Sequence, residues 1–104
     1  MPSLKIRNNQ HWDIQGALTF KTIAEIEKIS KSLRESWHRH MTIDFDGMTS
    51  VDSAGIAWIL ENIKYSQQKK IALVLQNFDS EEGKTLAKIH GVDAMLSTIT
   101  NEVK

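Results

Sequence analysis

Two periods alternate along the chain. Leu4 and Ile6 alternate with Lys5 and Arg7, and Trp12 and Ile14 alternate with Asp13 and Gln15, the two-residue period of half-buried strands. Asn8, Asn9 and Gln10 between them are turn-like, and Gly16 punctuates the second run, so a hairpin is predicted. The period then changes. Ile23, Ile26, Ile29, Leu33 and Trp37 have helical spacing, while Glu25, Glu27, Lys28, Lys31, Arg34 and Glu35 lie largely off that stripe. This predicts an amphipathic helix entered through Thr19 or Thr22 as cap. Trp37 to His40 is read as a polar connection.

The central stretch follows. Met41, Ile43 and Phe45 alternate with Thr42, Asp44 and Asp46, and Gly47 ends the strand pattern. A polar loop then carries Thr49, Ser50, Asp52 and Ser53. Ile56, Ile59, Leu60 and Ile63 share one face of a helix that starts near Ser53 and runs to Gln68, with Lys69 and Lys70 at its end. Ile71 to Leu75 is a nearly continuous apolar run, the kind of strand buried on both faces. A short helix is predicted from Glu81 to Ile89, stopped by Gly91; Met95, Leu96 and Ile99 fit either a last helical turn or an edge strand.

A strand, a helix and a strand in succession form a right-handed crossover, which makes the two strands parallel. With the hairpin in front, the sheet is mixed. The expected fold class is α/β: a mixed four- or five-stranded sheet with helices packed mainly on one face. The 104 residues suggest one domain, with 1–3 and 100–104 frayed.

Composition narrows the function classes. Thirteen basic and thirteen acidic residues cancel, so the basic excess of a nucleic-acid binder is missing. There is no cysteine, which excludes disulfides and thiolate chemistry. Met1 to Gln10 lacks the apolar segment of a signal peptide, and no apolar run approaches the roughly 20 residues of a membrane span. A soluble cytoplasmic protein is expected.

Candidate chemistry is thin. Asp44-Phe-Asp46-Gly47 resembles the first motif of haloacid-dehalogenase phosphohydrolases, but Met48 stands where that motif has threonine, and no later acidic pair follows an apolar strand to hold a metal. His11, His38 and His40 have no spacing that forces convergence on a metal. No glycine-rich phosphate loop and no nucleophile elbow are present, so no cofactor and no catalytic residue is expected. Ser53 reads in two ways, as a cap of the central helix or as a contact or phosphorylation point at a helix N-terminus. Trp58 lies off the apolar stripe of that helix, with Glu61, Asn62 and Tyr65. It is either an interface anchor or a side chain packed under a loop or a neighbouring helix.

The order of elements, and above all Asp44-Phe-Asp-Gly-Met-Thr-Ser-Val-Asp-Ser-Ala-Gly-Ile56, resembles the STAS domain family. That family includes bacterial anti-sigma-factor antagonists, the cytoplasmic tails of sulfate transporters and a subunit of the Mla phospholipid-transport system. Gly16 to Thr22 is similar to the family's turn from second strand to first helix. In the antagonists a phosphorylated serine directly precedes the motif glycine, and here that position is Ala54. The lipid-transport subunit carries a hydroxyl residue directly after the aspartate, as Ser53 does, and a small residue next, as Ala54 is. The resemblance therefore implies a non-enzymatic cytoplasmic subunit, peripheral to the inner membrane through its partner. That partner is the ATPase subunit of an ABC transporter that also contains a permease. The residues it points to are Thr49, Ser50, Asp52, Ser53, Ala54, Gly55 and Trp58, with Asp52 fixing the turn and Gly55 permitting close approach of the partner. The alternative it leaves is an anti-sigma-factor antagonist switched by phosphorylation, with Ser53, Ser50 or Thr49 as acceptor.

Overall fold

The computed structural model describes residues 4–78. Strands β1 (Leu4–Asn8) and β2 (His11–Leu18) are followed by helix α1 (Ile23–Leu33), strand β3 (His40–Val51), helix α2 (Ser53–Lys69) and strand β4 (Ala72–Gln76). The sheet order is β1-β2-β3-β4. β1 pairs antiparallel with β2, and β3 runs parallel to both β2 and β4. The predicted hairpin, crossover and mixed sheet are all present. The two crossovers step in the same direction across the sheet, and their handedness puts α1 and α2 on one face. The segments read as a helix over 81–89 and as a last element over 95–99 lie outside the described residues.

Alternation decides which side chains enter the core. Leu4, Trp12, Ile14, Met41, Ile43, Phe45, Leu73 and Leu75 project from the sheet towards Ile26 of α1 and Ile56, Ile59 and Ile63 of α2, and all are buried. Trp37 belongs to this core and not to a polar connection. A single 3-10 turn at Arg34–Ser36 follows α1, and Trp37 then takes an extended backbone. This lays its ring edge-on to Trp12 at 5.1 Å and to Tyr65 at 5.7 Å. Leu33, one turn earlier on the predicted stripe, stays 37% exposed because the chain leaves the helical period there.

Two strand ends differ from the sequence reading. β2 does not stop at Gly16 but continues to Leu18, with Gly16 at φ 86° where its pairing slips. β3 does not stop at Gly47 but continues to Val51, so Thr49 and Ser50 lie in a strand. From Asp13↔Asp44 to Gln15↔Gly47 and from Gly16↔Met48 to Ala17↔Ser50, β3 advances one residue more than β2. These are bulges, and they break the two-residue period that marks a strand. β4 also differs: Leu73 and Leu75 are buried while Ala72 is exposed and Val74 half-buried, so the strand has one core face.

Candidate functional site

The long β3 delivers its C-terminal end beside that of β2, and α2 starts there. Asp52 is the last residue before the helix and its backbone is extended. Its two carboxylate oxygens do different work. Oδ1 accepts the Gly55 N–H at 3.1 Å, which caps α2. Oδ2 accepts the Phe20 N–H at 3.0 Å, which ties down the loop between β2 and α1. The Asp52 N–H in turn donates to the Leu18 carbonyl at 3.3 Å. One aspartate thus joins two loops at one rim.

The cap is Asp52 and not Ser53. Ser53 is the first helical residue and is exposed at the rim. Thr22 is likewise at the N-cap position of α1 without capping it. Its hydroxyl donates towards the Ala17 carbonyl at 2.9 Å and accepts the Thr19 N–H at 3.0 Å, which holds the loop beneath Phe20. Gly55 does permit a close approach, but to this chain's own backbone. A Cβ there would lie 2.2 Å from the Leu18 carbonyl oxygen and 2.8 Å from Val51 Cγ2. Ala54 is half-buried beside it and Thr49 is exposed further back on β3.

Trp58 takes the second of its two sequence readings. It is only 4% exposed and packs against α1, so it is not an exposed anchor. Its indole N–H donates to Glu27 Oε1 at 3.2 Å. Glu27 also accepts from Arg34 Nη2 at 2.7 Å, and Arg34 Nε donates to Asn62 Oδ1 at 2.8 Å. Asn62, fully buried, donates to the Trp58 carbonyl at 2.8 Å and closes the circuit. Burial pushes the Glu27 carboxyl up, but the hydrogen bond and charge of Arg34, with Ser30 and Trp58, outweigh it and hold the group below the usual glutamate range. No sequence period announces this network, although Trp58, Asn62 and Ser66 repeat every four residues as a second stripe on α2.

Between the helices, next to the Asp52 rim, lies a mainly apolar groove of about 440 Å³ lined by Ile23, Ala24, Ala54, Ala57 and Trp58, with Glu27 and Glu61 also in its wall. Phe20, which no sequence pattern marks, is 69% exposed at the same rim. Its neighbour Thr19 and its partner Asp52 hold the backbone that presents it.

The other predicted chemistry separates. His11 is drawn together with Asp13 and Asp44 on the sheet face away from the helices, with donor atoms within 4.8 Å of one another. That set is His and carboxylate, the right types for a divalent ion. Arg7 already engages both oxygens of Asp13, at 2.9 and 3.2 Å, and Asp44 Oδ1 accepts from the Asp46 N–H and from Asn77 Nδ2, both at 2.9 Å. Among the described residues His38 and His40 join no such set. No described helix is long and apolar enough to cross a membrane.

A strand, an Asp52–Ser53 turn clamped to the preceding loop, and a helix begun on a glycine packed against the neighbouring strand thus meet at one rim. The STAS domain model matches residues 5–104, and the chain belongs to the STAS domain family. Among solved structures, the unphosphorylated anti-sigma factor antagonist SpoIIAA is similar, with a TM-score of 0.55 at 17% identity, covering 85% of this chain and 96% of that one. The structure of a protein called Mglu matches with a TM-score of 0.56 at 16% identity over 75% of this chain, which spans 19% of that chain's length. No curated protein matches the chain in sequence. These likenesses establish the fold, a small α/β domain with a four-stranded mixed sheet and two helices among the described residues.

Proposed function

We propose that this STAS domain is a non-enzymatic docking subunit, and that its Asp52 rim seats on the ATPase of an ABC transporter that moves phospholipids between Gram-negative membranes. The observation that carries this reading is the double clamp by Asp52, which holds Phe20 and Ser53 at one rim beside the apolar groove. An exposed aromatic next to a groove of small apolar side chains suits a protein partner better than a small polar substrate. Ala54, in the place of the antagonists' phosphorylated serine, supports the transporter branch over the phosphorylation switch. Thr49 and Ser50 stand behind the rim on β3, and Gly55 acts from inside by letting α2 start close to β2.

The test is affinity capture from native cells with the wild-type domain, with Phe20→Asp and with Ser53→Trp. Recovery of an ABC ATPase and its permease by wild type, lost in both variants while circular dichroism stays unchanged, is the expected result. Recovery of a kinase-like anti-sigma factor, together with an added phosphate on the domain by intact mass, would replace this reading with the antagonist one.

A further inference from the structure

A second concave site lies at the other end of the domain, where β3 and β4 begin and α2 ends. It is a pocket of about 680 Å³ whose lining includes Arg39, Lys69 and Lys70 with His38 and His40. Among the described residues Glu35 is the one acidic member of that lining. Among the described residues none of the three cations has a carboxylate partner; the ion pairs there involve Arg7, His11 and Arg34 instead.

The walls are set by backbone bonds, so the cations start from fixed positions. The Ala72 N–H donates to the Arg39 carbonyl at 2.8 Å, joining the approach to β3 with the start of β4. The Thr42 N–H donates to the Gln10 carbonyl at 2.9 Å. Lys70 closes α2 in the left-handed conformation, at φ 58°, with its N–H on the Gln67 carbonyl at 3.3 Å.

Trp37 lines the same pocket. It is 5% exposed, and among the described residues its indole N–H has no acceptor. A buried donor left without a partner costs about 1–3 kcal/mol, and folded proteins rarely keep one without a reason. Lys69 and Lys70 alone fit the negative end of the α2 dipole. That explanation reaches neither Arg39, which sits on the approach to β3, nor the orphaned indole.

We propose that this pocket binds a phosphate-bearing anion. A phosphoryl dianion offers several strong acceptor oxygens to several donors. Arg39, Lys69 and Lys70 supply the charge, and the Trp37 N–H supplies the innermost neutral donor. The group reaches the pocket either as a free phosphate monoester or as a phospholipid headgroup.

Two titrations separate these sources. In the first, glycerol 3-phosphate is added to the labelled protein and the Trp37 indole N–H is followed by NMR, assigned by its loss in Trp37→Phe. In the second, phosphatidylcholine vesicles doped with phosphatidic acid are sedimented with the protein, against phosphatidylcholine alone. The three cations are exposed, so Arg39→Gln/Lys69→Gln/Lys70→Gln keeps the fold. Removing any one of the three charges weakens binding about tenfold, and Trp37→Phe weakens it severalfold. A Trp37 shift with glycerol 3-phosphate, abolished in the triple variant, identifies a free phosphate monoester. Sedimentation only with phosphatidic acid, lost in the triple variant, identifies a headgroup. No response in either titration, or a response that the triple variant retains, overturns the proposal.

Discussion

Gly55→Ala puts the packing of the rim to a direct test. The added methyl would meet the Leu18 carbonyl oxygen at 2.2 Å, and contacts under 3.0 Å are not tolerated. The obstacle is backbone at the end of β2, which the pairing Leu18↔Val51 ties to β3 and the Asp52 N–H ties to the start of α2. The first turn of α2 must therefore withdraw by about 0.8 Å or tilt. Overpacking of this kind costs about 1–3 kcal/mol. The same shift strains the Asp52 cap, worth about 1 kcal/mol. Alanine returns about 1 kcal/mol through better helix propensity. A net loss of about 2 kcal/mol is expected, which in a small domain lowers the melting temperature by about 8–16 °C. Urea unfolding followed by tryptophan fluorescence measures it. A value within about 0.5 kcal/mol of wild type, the range of an ordinary surface change, would refute the claim that Gly55 is selected by the Leu18 carbonyl.

Three further outcomes follow from the hydrogen bonds. The folded chain holds Glu27 below its usual range, so its carboxyl binds protons less readily folded than unfolded. Its contribution is present above the unfolded value and is lost as pH falls through the lowered folded value. Glu27→Gln should thus be less stable than wild type at neutral pH, with the gap closing on acidification in a pH series of denaturant melts. Asp52→Ala removes the acceptor of the Phe20 N–H, and hydrogen exchange at that amide should quicken about tenfold, the equivalent of one hydrogen bond of about 1.4 kcal/mol, while amides of central β3 stay protected. Trp58→Phe loses the bond to Glu27 and part of the packing between α1 and α2, a cost of about 1–2 kcal/mol in the same melts.

Where one physical cause acts at a time, the fold can be read from the residues. Met41, Ile43 and Phe45 face a core on one side only, so their period of two survives and marks β3. Ile56, Ile59 and Ile63 face the sheet, so their spacing marks α2. The reading fails where two causes overlap. Past Gly47, β3 keeps its pairing with β2 but takes up an extra residue twice, and a bulged strand has no period to detect. Trp37 follows a 3-10 turn, so helical spacing cannot say where it points.

The rim shows why a site is harder to read than a fold. Asp52, Ser53 and Gly55 stand out in the sequence as a turn, but their roles depend on what lies across the sheet from them. The sequence reading offers Ser53 as the cap and gives Asp52 only as the residue that fixes the turn. In the structure Asp52 takes the cap and also accepts the N–H of Phe20, more than thirty residues away in the chain. A carboxylate serves two donors at once, one per oxygen, whereas a serine hydroxyl has one oxygen to offer. Capping by Asp52 then leaves Ser53 at the rim, where a partner can meet it. Trp58 inverts the argument. Its place off the apolar stripe leaves exposure and burial both open, and a helix that touches both a sheet and a second helix has two buried sides. The polar partners Glu27, Arg34 and Asn62 let the indole N–H be buried without an unpaired donor. What remains exposed beside it is alanine, and the small side chains of Ala54 and Ala57 are what turn the space between the helices into a groove.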